Sequence, residues 1–286
     1  MRRWILGVPV AVLIPLLAGC STSTTPPVAQ PQPQPQPESP AVATLVGLGD
    51  SIPAGDGCPG CTPFVELFGD QLSDGNAVPV QVANLGVGGW TSTDLLDSLE
   101  PGAYDADAVS AADLVTVTIG ANDFYTELDD YLDGDCGGDD GLGCFAPVLP
   151  ELQTTLTSVL GRIAELRAGQ PTAVLVTGYW DVFPDGDVAR DLYGPQFLRD
   201  SAALTLRAND VISGVAGAEG ATYVDLFSTF KGTWGDGDPT GLLADDGDHP
   251  NQIGHQLIAD ALSSAAAAGS GSTDVSAFTS SGWSPR

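Results

Sequence analysis

The sequence predicts an α/β fold in which a parallel sheet is covered by helices on both faces. Three observations carry this. Five short, β-branched runs recur along the chain, helical patterns separate them, and the runs are apolar nearly throughout rather than alternating, as strands buried on both faces are. The expected strands are Ala43–Leu48, Val78–Asn84, Asp113–Ile119, Thr172–Thr177 and Thr222–Leu226. Helices are expected near Thr62–Leu72, Thr93–Leu99, Leu149–Ala168 and Gln196–Ala216, with a last one over Gln252–Ala268. The helical period is clearest in Leu152, Leu156, Val159, Leu160, Ile163 and Leu166.

The ends of the chain read differently. Met1–Ala18 opens with Arg2 and Arg3 and continues as an apolar run from Trp4. That run is too short for a membrane span, which needs about 20 residues, and suits a secretory signal. It ends Leu17-Ala18-Gly19-Cys20, which resembles the lipobox of bacterial lipoproteins. The resemblance implies a signal segment over 1–20 and lipidation of Cys20. The product would be exported and anchored to the outer face of the bacterial membrane, or secreted if Cys20 is not lipidated. Residues 21–41, with Pro-Gln repeats from Gln30 to Pro37 and almost nothing apolar to bury, are expected to be an extended linker. One domain is expected over 42–268, and the Ser/Gly-rich stretch 269–286 is expected to be a loose tail.

Charge narrows the partners. Nine basic residues face 37 acidic ones, for a formal net charge of −28. Such a field repels nucleic acid and anionic membrane faces, so neither is an expected partner, and contact with a membrane would run only through the lipid anchor. A monomer is expected.

Besides Cys20 there are four cysteines, and in an exported chain an even count implies disulfides. Of the three possible pairings, Cys58–Cys61 and Cys136–Cys144 are favoured, each pinning a local loop. The Cys58-Pro59-Gly60-Cys61 spacing also suits a redox pair, but the pair does not open the helix of a thioredoxin-type unit. Neither pair has a histidine nearby for zinc. The acidic stretches Asp133–Asp140 and Asp236–Asp238 lack the spacing of an EF-hand loop and read as solvated loops. No metal and no cofactor are expected.

In parallel α/β sheets the site lies at the carboxyl ends of the strands. The first expected strand ends in Gly49-Asp50-Ser51, the second in Asn84-Leu85-Gly86-Val87-Gly88-Gly89, and the third in Gly120-Ala121-Asn122-Asp123. After the fifth comes Asp246-Gly247-Asp248-His249-Pro250-Asn251. Serine hydrolysis needs a base for the hydroxyl, an acid to hold that base, and donors for the developing oxyanion. Asp246 lies three residues before His249, so one turn brings the carboxylate to Nδ1 and leaves Nε2 for Ser51. The donors would be the Ser51 and Gly89 backbone amides and the Asn122 side chain. His255, the other histidine, falls in the last helix beside Ile253, Leu257, Ala261 and Leu262 and reads as structural. Asp50 and Asp248 read as residues that order their loops.

Taken in order, Gly49-Asp50-Ser51, Gly89 within "NLGVGGWT", Gly120-Ala121-Asn122-Asp123 and "DGDHPN" resemble the four blocks of the SGNH (GDSL-type) hydrolase superfamily. The resemblance spans 44–268. It implies a flavodoxin-like, three-layer α/β/α sandwich on a five-stranded parallel sheet. It also implies a Ser51–His249–Asp246 triad, an oxyanion hole of Ser51, Gly89 and Asn122, and no metal. Gly88 stands where many members have serine. Pro53 stands where the elbow of α/β-hydrolases needs a glycine, which argues against that commoner lipase fold. Three functions remain open at this level. They are an exported carboxylester hydrolase working through an acyl-enzyme, a polysaccharide O-acetyl esterase of the same fold, and a catalytically silent surface-binding lipoprotein. Phe64, Trp90, Phe124, Tyr125, Tyr179, Trp180 and Phe183 follow motif loops or strand ends and could serve an acyl pocket, a sugar-stacking surface or the core.

Overall fold

A computed structural model describes residues 42–76 and 78–269. The expectations for Cys20, the signal segment, the linker and the tail beyond Gly269 lie outside those residues. Five parallel strands, β1 (Ala43–Gly49), β2 (Val80–Gly86), β3 (Leu114–Thr118), β4 (Ala173–Thr177) and β5 (Thr222–Val224), form one sheet in the order β2-β1-β3-β4-β5. The helices are α1 (Ser51–Ala54), α2 (Phe64–Asn76), α3 (Ser92–Ser98), α4 (Tyr104–Ala111) and α5 (Leu128–Asp133). They continue with α6 (Val148–Arg167), α7 (Gly186–Ala218), α8 (Leu226–Lys231) and α9 (Gln252–Gly269). One face of the sheet carries α2, α8 and α9; the other carries α3, α4, α6 and α7. β3 is buried at every position and β1 at all but one, which is why these strands read as continuous apolar runs.

The chain leaves β1 toward β2 on one side and returns to β3 on the other. This reversal opens a crevice at the carboxyl ends of β1 and β3, where ligands bind in sheets of this order. Gly49 closes the end of β1 with φ 140°, and a Cβ built there would lie 1.8 Å from the Thr118 carbonyl oxygen. Only glycine lets β1 run that close to β3 and turn into α1.

Element bounds depart from the expected ones for local reasons. β2 starts at Val80 rather than Val78 because Pro79 has no N–H for the ladder, and the Val80 amide donates to Ser73 Oγ at 3.0 Å. β5 stops at Val224 because Asp225 caps α8, accepting from the Ser228 amide at 3.0 Å. α7 begins ten residues earlier than its apolar period indicates. Asp185 caps it, and Gly194 (φ 83°, ψ 173°) before Pro195 breaks it into two segments. α1, α4, α5 and α8 are four to eight residues long, too short to show a helical period.

The structure joins Cys58 to Cys61 and Cys136 to Cys144. Among the described residues no helix is long and apolar enough to cross a membrane. No group of three or more His, Cys, Asp or Glu side chains there is placed to hold a metal ion.

Candidate active site

Ser51 is the first residue of α1, directly after β1. Asp50 caps this helix from a buried position, accepting from the Ile52 amide at 3.0 Å and from the Tyr179 hydroxyl. Burial pushes the Asp50 carboxyl up to about 7 against the pull of these two hydrogen bonds; the charge of His249 also lowers it. The segment after α1 then folds over the histidine loop. A Cβ on Gly57 would sit 2.5 Å from His249 Cβ and 2.6 Å from Asp246 Oδ2, so the Gly57 backbone lies flat against that pair.

The histidine loop is held from several sides. Asp246 Oδ2 lies 2.8 Å from His249 Nδ1, while Oδ1 accepts from the amides of His249 at 3.0 Å and Asp248 at 2.9 Å. Burial pushes the Asp246 carboxyl up, but these hydrogen bonds outweigh it and hold it below the usual carboxylate range. The Ala244 amide donates to the His249 carbonyl at 2.8 Å, and the Asp185 amide donates to Gly247 at 2.8 Å. Asn251 finishes the loop. Its Oδ1 accepts from Ile253 and Gly254 at the start of α9, and its Nδ2 donates to the carbonyls of Gly241 and Leu243. Ser51 and His249 are not hydrogen-bonded to each other. The Ser51 hydroxyl and His249 Nε2 have no partner within the described residues, and both residues keep some exposure.

The loops after β2 and β3 complete the crevice wall. Gly89, exposed and at φ 81°, sits in a turn closed by the Trp90 amide on the Val87 carbonyl and makes no hydrogen bond within the described residues. Asn122 Nδ2 donates to the Trp90 carbonyl at 2.9 Å, which leaves its second amide hydrogen unused. Asp123 accepts from the Ser92 amide at 2.9 Å and the Ser92 hydroxyl at 2.5 Å, tying the β3 loop to the start of α3. A Cβ on Gly88 would lie 2.1 Å from Asp56 Oδ2 and 3.9 Å from Ser51 Cβ, so the β2 loop borders the serine directly. Gly88, where many superfamily members carry serine, is thus part of the crevice floor.

Four contributors lie outside the expected triad and oxyanion hole. Gly57 backs the Asp246–His249 pair, and Tyr125 donates to Asp248 at 3.0 Å. Tyr179, from the loop after β4, donates to Asp50, and a buried Asp181–Lys231–Asp185 cluster stands behind Gly247. Lys231 Nζ lies 2.8 Å from Asp181 and 2.7 Å from Asp185. Burial opposes its charge, but the two carboxylates outweigh it and hold its pKa above the ordinary lysine value. The Gly-Asp-Gly run at 55–57 was a signal for the first. Tyr125 follows the Gly120–Asp123 block and Tyr179 follows the fourth strand, both already singled out for their rings, whereas the Asp181–Lys231–Asp185 cluster comes from segments with no motif of their own. His255 is fully buried, stacks on Phe64 at 6.4 Å, and has no hydrogen-bond partner on either ring nitrogen. Phe64, Phe124, Tyr179, Trp180 and Phe183 are core side chains rather than pocket walls.

This sheet order, with these residues at its strand ends, defines an ester hydrolase of the SGNH type. The GDSL-like lipase/acylhydrolase family matches residues 48–257, and the chain belongs to that family. Among solved structures it is similar to a lipase from a goat-rumen metagenome, at 20% identity and a TM-score of 0.58, covering 78% of this chain and 97% of the other. It is likewise similar to a catalytic mutant of an acetylxylan esterase from Geobacillus stearothermophilus, at 20% identity and a TM-score of 0.57, covering 78% and 93%. The extracellular lipase of Streptomyces rimosus matches at 21% identity and a TM-score of 0.57, covering 78% and 99%. Comparison with curated proteins finds no match.

Proposed function

We propose that the chain is an exported serine carboxylester hydrolase working through an acyl-enzyme, with Ser51 as nucleophile, His249 as general base and Asp246 as its orienting acid. One observation carries this reading. The Asp246 carboxylate engages His249 Nδ1 at 2.8 Å, and both the opposite ring nitrogen and the Ser51 hydroxyl are left without a partner within the described residues. Accepting from the Nδ1–H fixes the tautomer, so Nε2 is the basic nitrogen. His249 takes the Ser51 proton as Oγ attacks the ester carbonyl. The imidazolium that forms is stabilised by Asp246, which its hydrogen bonds keep ionised. The oxyanion gathers the Ser51 and Gly89 amides and the free Asn122 amide hydrogen. Collapse of the tetrahedral species passes the proton from Nε2 to the leaving alcohol, and water repeats the sequence to release the acid.

The basic-then-apolar leader and Cys20 support export of a monomer, anchored through the Pro-Gln linker, or secreted if Cys20 is not lipidated. Purified protein should hydrolyse p-nitrophenyl butyrate, and Ser51→Ala should reduce turnover at least 10³-fold. Undiminished turnover in Ser51→Ala sinks the assignment. Membrane fractionation of wild type against Cys20→Ala tests the anchor: equal partitioning would remove it.

A further inference from the structure

A buried charge cluster stands where the chain enters α7 and leaves α8. Asp181, Asp185 and Lys231 are each no more than 5% exposed. Lys231, the last residue of α8, places Nζ 2.8 Å from Asp181 Oδ2 and 2.7 Å from Asp185 Oδ2. Asp181 Oδ1 accepts from the Ser201 hydroxyl, which ties the cluster to the body of α7. Asp185 Oδ1 caps the same helix, accepting from the Gly186 amide at 2.7 Å.

Asp185 also holds the histidine loop, through its main chain. Its amide donates to the Gly247 carbonyl at 2.8 Å. Gly247 lies between Asp246 and His249 at φ 70°, and a Cβ there would stand 3.0 Å from the Asp185 carbonyl oxygen and 2.7 Å from Val188 Cβ. The loop therefore rests its peptide directly on the first turn of α7. Movement of that turn is passed to the 2.8 Å contact between Asp246 Oδ2 and His249 Nδ1.

We propose that Lys231 is a positioning residue for ester hydrolysis: by clamping Asp185 it fixes the turn of α7 on which the histidine loop is set. The inference rests on the catalytic reading of Ser51, His249 and Asp246. Stability alone is a weak reason for such a cluster, since burying three charges costs desolvation that apolar packing avoids. What the ions add is direction. Asp185 has one oxygen on the helix cap and the other on Lys231, so its main chain is held in one position, whereas an apolar side chain could slide. A general base must stand within hydrogen-bond reach of the proton it takes, and a misplacement of about 1 Å can cost on the order of 10² in turnover.

The test compares Lys231→Met, Asp185→Asn and Arg167→Met in the full chain. Asp185→Asn keeps a side-chain oxygen for the cap and the main-chain amide for Gly247, but loosens the grip of Lys231. Arg167 is the control. It is also buried, and it donates to the Ser110 and Pro171 carbonyls just before β3 and β4, at the opposite end of the sheet. Turnover of p-nitrophenyl butyrate is counted per serine titrated with a fluorophosphonate, so that unfolded chains do not enter kcat. Both cluster variants should lower kcat about three- to thirty-fold with KM changed less than about two-fold, while Arg167→Met keeps native kcat. Lys231→Met removes a positive charge and Asp185→Asn a negative one, so an effect acting only through the electric field would move kcat in opposite directions. Native kcat in both cluster variants, opposite changes in the two, or an equal loss in Arg167→Met overturns the proposal. Should Lys231→Met fail to fold, Asp185→Asn against Arg167→Met decides. A native chain that neither hydrolyses the ester nor takes the fluorophosphonate overturns the catalytic reading, and this inference with it.

Discussion

His255→Leu gives the sharpest quantitative prediction. His255 is buried in α9 with both ring nitrogens unpartnered, and burial, helped by the charge of His249, lowers its pKa from 6.5 to about 4. The folded state therefore binds fewer protons than the unfolded chain between these values. The neutral ring imposes no titration cost above pH 6.5. As the pH falls the unfolded chain gains a proton that the native fold refuses, and stability is lost until about pH 4. A shift of this size corresponds to about 3 kcal/mol. Leucine fills a similar volume without a titrating group, so the loss should vanish in His255→Leu. At pH 7.5 the variant should be at least as stable as wild type, since two unpaired nitrogens leave the core. The assay is guanidinium unfolding of both proteins at pH 7.5, 5.5 and 4. Buried Asp50 and half-buried Asp123 and Asp248 have raised pKa values and stabilise as the pH falls, but they are common to both chains and cancel in the difference. Parallel pH dependences for the two proteins would refute the reasoning.

The other predictions concern the crevice and its support. Gly57→Ala should drive a methyl into the Asp246–His249 pair and lower kcat by on the order of 10², with KM and far-ultraviolet circular dichroism little changed; native kcat would show that the pair has room to move. Asn122→Ala should cost about 10²–10³ in kcat, and a loss confined to KM would remove Asn122 from the oxyanion hole. Lys231→Met strands Asp181 and Asp185 in the core and should destabilise by about 3–5 kcal/mol in chemical denaturation. A cost under about 1 kcal/mol would show that the cluster is hydrated.

The sequence by itself determined the sheet and most of the crevice. β1 and β3 are buried on both faces, so their composition had to be continuously apolar, and that pattern is readable without coordinates. The strand-end loops were legible for a related reason. Gly49 must bring β1 close to Thr118, Asp246 must reach the imidazole three residues on, and each local demand selects a recognisable residue. Long-range pairing left no such trace. Tyr179 on Asp50, Tyr125 on Asp248 and Lys231 between Asp181 and Asp185 join segments 46 to 129 residues apart, and nothing near either partner announces the other. The short helices were hidden because eight residues or fewer cannot display a 3.6-residue period. Burial of His255 depended on how α9 meets Phe64 in α2. Local chemistry wrote the strands and the motif loops into the sequence. Only the packing of distant segments decided which side chains back the crevice.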